Sequence, residues 1–159
     1  MRHISFSELK NWNFCPFYHK LVNLDKISGF KGNEYTAFGT AIHDVCEKVA
    51  LKEEIDPQEH FIERFEAELA DLDEDVEIRT NLVESMRFQG RQLAPEAVPA
   101  LYETFGEWKL IEAEEKLYEG ISECEDYMFK GYIDLVIKTE DEKYHIIDWK
   151  TCSWGWDAR

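Results

Sequence analysis

Two aspartates stand inside stretches that otherwise read as apolar. Asp134 interrupts the run Tyr132-Ile133-Asp134-Leu135-Val136, and Asp148 interrupts Ile146-Ile147-Asp148-Trp149. A carboxylate within a buried strand is costly unless it is paired or bound to a cation. The polar stretch Thr139-Glu140-Asp141-Glu142-Lys143 between the two runs reads as a turn, so the runs form an antiparallel hairpin. With that turn centred near Asp141, positions 134 and 148 are equidistant from it. They then face each other across the ladder, where paired residues lie ~5 Å apart. Both carboxylates could share one hard divalent cation through oxygen ligands. Lys150 is two residues beyond Asp148 and so lies on the same strand face. An ammonium beside metal-bound carboxylates can orient an attacking water and stabilise charge on a phosphate, which is a layout for metal-assisted phosphoryl transfer. The plainer alternative is a surface Asp–Lys pair on an edge strand. The second aspartate in register speaks against it.

Periodicity supplies the elements that must hold these groups. Ser5-Phe6-Ser7-Glu8 fits a capping box, with Ser5 as N-cap and Glu8 reaching back. The short helix it opens carries Leu9, Trp12 and Asn13 and ends at Cys15-Pro16. Pro16 starts a second helix with Phe17, Tyr18, Leu21 and Val22. Residues 28–36, with Gly29, Gly32 and Asn33, read as a loop. Phe38, Ala41, Ile42, Val45, Cys46 and Val49 form one apolar stripe, which predicts a helix over Ala37–Leu51. His43 lies beside that stripe, two positions from Ala41 and Val45. Helices follow over 57–72, opened by Pro57 and striped by Phe61, Ile62, Phe65 and Leu69, and over 76–93 and 95–105, split by Pro95. After Gly106 the pattern changes to strands over 108–118, 129–138 and 144–151. No internal repeat or low-complexity segment appears.

Four motifs occur in order along the chain: Ser5-Phe6-Ser7-x-Leu9 through Cys15-Pro16-x-Tyr18, then Phe38-Gly39-Thr40-Ala41-Ile42-His43, then Gly131-Tyr132-Ile133-Asp134, then Ile146-Ile147-Asp148-Trp149-Lys150-Thr151. Together they resemble the PD-(D/E)XK nucleases, and most closely the RecB-like group that includes phage exonucleases and the nucleases of CRISPR adaptation. The resemblance covers nearly the whole chain. It implies an α/β (α+β) restriction-endonuclease-like core, a small mixed β-sheet flanked by helices. It implies that His43, Asp134 and Asp148 are metal ligands, with the backbone carbonyl of Trp149 as a further oxygen, and that Lys150 is the catalytic lysine. One imidazole with oxygen ligands suits Mg²⁺ or Mn²⁺. Glu115 stands at an acidic position before the Gly-x-x-Asp strand, but Glu114 and Glu119 flank it, and no acid there is assigned. His3, His19, His60 and His145 lack such context and read as surface or core residues.

Three features depart from the pattern. Some relatives in that group hold an iron–sulfur cluster with one N-terminal and three C-terminal cysteines. Cys15 matches the first, yet only Cys152 follows the catalytic strand. An iron–sulfur cluster is therefore not expected in this chain, and Cys15 reads as a buried packing residue. The family also continues past the last motif into a helix with a Gln-x-x-x-Tyr motif and another strand. The C-terminal part of the core is thus expected to be missing from the chain or supplied by a homo-oligomer. Trp149, Trp154 and Trp156 would then form an exposed aromatic patch beside a strand edge. The third departure is charge. The net charge is −16, which on its own disfavours binding to polyanions. It is uneven: residues 53–126 hold 23 acidic and 6 basic side chains, and residues 1–52 hold 5 and 7.

The 159 residues, 44% hydrophobic and 14% aromatic, fit a single domain over 1–159 with an acidic helical block at 53–105, and exclude wholesale disorder. No apolar run approaches ~20 residues, so no membrane-spanning helix is expected. Met1–Phe6 shows no secretory signal. Scattered cysteines without a CxxC pair suit a reducing cytoplasm, that of a bacterial cell or a phage-infected host. The activity implied is divalent-metal-dependent cleavage of DNA, by an exonuclease of recombination, repair or phage DNA processing. Lys10, Lys20 and Lys31, with Lys26, are interleaved with Trp12, Phe14, Phe17 and Tyr18 and could line a DNA groove; the alternative is a solvated helix face over an aromatic core. The competing function is a catalytically silent acidic binding module or complex subunit on a nuclease scaffold.

Overall fold

The computed structural model describes residues 2–27 and 29–152. Trp154 and Trp156, two members of the expected aromatic patch, lie outside the described residues. The chain divides into two compact units, Met1–Lys31 with Glu114–Ile133, and Gly32–Ala113 with Asp134–Arg159. Two long strands, β2 (Trp108–Ile121) and β3 (Cys124–Thr139), contribute to both.

In the first unit, β1 (Arg2–Ser5) runs parallel to β3, with Arg2 opposite Tyr127 and Ser5 opposite Lys130. Sequence periodicity gives no strand here, because four residues of mixed polarity carry no period. Ser5 then ends the strand and starts helix α1 (Phe6–Phe14). Its Oγ accepts the Glu8 N–H at 3.2 Å. The Glu8 carboxylate is engaged by His19 Nε2 at 3.0 Å, which ties α1 to helix α2 (Pro16–His19). A π-helical turn, Lys20–Leu24, continues α2. No residue of α1, α2 or this turn is buried. Phe14 and Phe17 are 81% and 66% exposed, so the lysines of this segment do not overlie an aromatic core. Cys15 is half-buried rather than buried. β2 and β3 join through Ser122 and Glu123, the latter with a left-handed φ of 64°, and both strands are longer than their hydropathy suggests.

The second unit holds the hydrophobic core. Helix α3 (Glu34–Ala50) begins three residues before its apolar stripe. Asn33 Oδ1 accepts the N–H groups of Tyr35 and Thr36, and Thr36 Oγ1 accepts the Asn33 N–H. Its stripe buries Ala37, Phe38, Ala41, Ile42, Val45 and Cys46 against α4 (Pro57–Ala70). Phe61 and Phe65 on α4 are fully buried and stacked at 5.5 Å, with Phe38 edge-on to both. Each such ring contributes about 1.5–3 kcal/mol on burial. Helix α5 (Thr80–Leu93) comes close because Gly90 has no side chain: a Cβ there would lie 2.0 Å from the Phe61 ring. Helix α6 (Pro99–Phe105) restarts four residues beyond Pro95.

From β3, Leu135, Ile137 and Thr139 are buried while Val136 and Lys138 are half-buried, the period of two expected of a strand. β4 (Tyr144–Ile147) pairs antiparallel with β3, Leu135 opposite Ile147 and Lys138 opposite Tyr144. The Thr139 N–H donates to the Lys143 carbonyl at 3.0 Å and closes the turn. Together the strands make a four-stranded mixed sheet, and the described residues form an α/β chain with six α-helices. No described helix is long and apolar enough to cross a membrane.

Candidate metal centre

α3 places His43. Its first turn is anchored by Glu34, a carboxylate only 2% exposed, which accepts the Arg79 backbone N–H at 2.7 Å and Arg79 Nε at 3.2 Å. The buried stripe fixes the helix's rotation, so His43 emerges at the stripe's edge with a side chain 29% exposed. Its Nδ1 lies 3.6 Å from Asp134 Oδ2. Asp134 is held between Ile133 and Leu135 on β3 with a side chain 13% exposed. The same oxygen accepts the Trp149 N–H at 2.7 Å. The largely shielded carboxylate thus has a backbone donor, which offsets its desolvation, and an imidazole within ion-pair distance.

The ladder register, continued one step beyond Leu135 and Ile147, sets residue 134 opposite residue 148. The strand itself stops at Ile147, however, and does not run to Thr151. The reason is local: the Trp149 N–H goes to the Asp134 side chain rather than to a ladder carbonyl. Asp148 therefore leaves the sheet and is 63% exposed, and its Oδ1 pairs with Lys150 Nζ. Lys150 Nζ also donates to the Trp149 carbonyl at 3.2 Å. Trp149 is half-buried against the core and links the two halves of the site. Its N–H faces Asp134 and its carbonyl faces Lys150. His43 and Asp134 are thus brought together, and Asp148 and Lys150 form a second, more solvated pair.

Cys46, on α3, lies near enough to Asp134 to feel its charge. Burial, and then the negative charge of Asp134, push its thiol up to about 12, so it stays protonated at neutral pH. The remaining donors are an imidazole, carboxylates and a backbone carbonyl. That oxygen-rich set fits a hard divalent ion and lacks the thiolates of a structural zinc site.

Lys10 is exposed on α1, Lys20 pairs with Asp25 at 2.5 Å, and Lys31 is exposed at the end of the first unit's N-terminal segment. Within the acidic block, α4 and α5 carry ion pairs such as Arg87–Glu66 and Arg64–Glu68.

The chain matches the family model of the PD-(D/E)XK nuclease superfamily over residues 3–157. It belongs to that superfamily. No curated protein matches it. Membership makes the fold a restriction-endonuclease-like core and the general activity metal-dependent nucleic-acid cleavage, with DNA as the substrate that the family implies.

Proposed function

We propose that this chain is a divalent-metal-dependent deoxyribonuclease that acts as an exonuclease in DNA recombination, repair or phage DNA processing. The observation that supports this most is the His43–Asp134 pair, 3.6 Å apart, clamped by the backbone of the residue before Lys150. In this reading His43, Asp134, Asp148 and the Trp149 carbonyl hold Mg²⁺ or Mn²⁺. The ion would supply Lewis-acid polarisation of a phosphate oxygen and acidify a bound water. Lys150 releases Asp148, orients the attacking water and stabilises charge on the phosphate. Asp134, largely shielded from solvent, keeps His43 Nδ1 oriented. Lys10, Lys20 and Lys31 contact phosphates while exposed Trp12, Phe14 and Phe17 offer faces on which bases stack.

The test is incubation of end-labelled linear duplex and of covalently closed circular DNA with each ion and with chelator. Ion-dependent loss of linear DNA only supports the reading, and nicking of the circle refutes the exonuclease assignment. A second reading, a silent acidic module, is favoured by the Asp148–Lys150 ion pair, which occupies both groups. It gains if neither substrate is cut while a protein or DNA partner still binds.

A further inference from the structure

The second unit contains an open cavity of about 650 Å³, lined by Tyr35, Phe38, Leu82, Met86, Gln89 and Thr151. That volume is within the range of ligand sites, ~300–1,000 Å³. Its place follows from the chain. Thr151 is the residue after Lys150, and its Oγ1 lies so near α3 that a Cβ on Gly39 would come within 3.3 Å of it. Tyr35, Gly39 and His43 are spaced by four residues on α3 and stand in one row. Four residues rise about 6 Å, so the cavity starts about one helical turn from His43 and reaches a second turn further.

The lining has two characters. Phe38 and Met86 are buried and, with Leu82, form an apolar floor. The Gln89 amide, the Thr151 hydroxyl and the Tyr35 ring bring polar groups and an aromatic face to the same cavity. The Arg79 guanidinium lies over the Tyr35 ring, 5.3 Å from its centroid, on a side chain 58% exposed. The complementary ligand is a flat ring with apolar faces, hydrogen-bonding edges and an anion attached. A nucleotide has that chemistry.

We propose that this cavity receives a single unpaired base of the DNA strand, stacked on Tyr35 with its phosphate toward Arg79, while a neighbouring phosphate of the same strand lies at His43 and Asp134. The inference rests on the deoxyribonuclease reading. A base can enter only after leaving its stack, which is easiest in single strands and at duplex ends. The cavity therefore selects unpaired ends as substrate.

Short single-stranded oligonucleotides carrying one abasic position, moved stepwise from the end, test this on the whole chain. Binding is read by fluorescence anisotropy in chelator and cleavage in Mg²⁺. One or two positions should weaken binding about tenfold when abasic, within the range measured for base–aromatic stacking, and the other positions should change it little. Tyr35→Ala should weaken the intact oligonucleotide similarly and erase the position dependence. Leu82→Trp, which fills the cavity, should do the same. An equal effect at every position, or a position dependence that survives both variants, overturns the cavity assignment and leaves the nuclease reading standing. A wild-type chain that neither binds nor cuts any oligonucleotide overturns both.

Discussion

Glu34→Gln is expected to loosen the helix that carries His43. The wild-type carboxylate is 2% exposed and accepts two N–H groups from Arg79, one backbone and one guanidinium. Hydrogen bonds to charged groups contribute ~1.5–3 kcal/mol each. The Arg79 side chain is largely solvated and can rehydrate, so only the backbone bond should count in full. We therefore expect a loss of about 2 kcal/mol, or a Tm lower by ~4–8 °C for a chain of this size. The pH dependence has a definite sign. Burial pushes the Glu34 carboxyl up, but the Arg79 donors more than offset this and hold it below its usual value of 4.5. A depressed carboxyl stabilises the fold above its unfolded pKa, and this is lost as pH falls through the folded one. The gap between wild type and Glu34→Gln should be full at neutral pH and close below 4.5. Urea unfolding at pH 7 and at pH 3.5, followed by far-UV circular dichroism, measures it. A gap under ~0.5 kcal/mol at neutral pH, or one that widens in acid, would refute the reasoning.

Gly90→Ala should destabilise the fold by ~1–3 kcal/mol through overpacking, because the new methyl meets the Phe61 ring at 2.0 Å; thermal unfolding detects this. Lys150→Ala should leave Tm nearly unchanged, since the side chain is 55% exposed, while DNA cleavage falls ~10²–10³-fold for want of the charge at the phosphate. Equal cleavage by the variant would remove Lys150 from the site.

The fold was legible where hydrophobic period and turn chemistry agreed. The stripe from Phe38 to Val49 gave α3, and the polar stretch at Thr139–Lys143 gave a hairpin whose register the ladder keeps. β1 left no signal because its pairing with β3 is made by backbone groups of four residues without alternation. The far parts of β2 and β3 were hidden by acidic side chains and by a turn whose left-handed residue is Glu123 rather than glycine. Spacing also anticipated the register that sets residue 134 opposite residue 148. It did not anticipate that the Trp149 N–H would take the Asp134 carboxylate, end β4 at Ile147 and turn Asp148 toward Lys150. Such side-chain-to-backbone competition leaves no periodic trace.

The central claim is that an ion held at Asp134 and His43 drives cleavage of DNA. End-labelled DNA is incubated with the wild type and with Asp134→Asn, each with Mn²⁺, with Mg²⁺ and with chelator. The account predicts ion-dependent cleavage by the wild type, none in chelator, and a rate at least ~10²-fold lower for Asp134→Asn, of the size seen when an electrostatic stabiliser is removed. Full cleavage in chelator, or an Asp134→Asn variant as fast as the wild type, would contradict it.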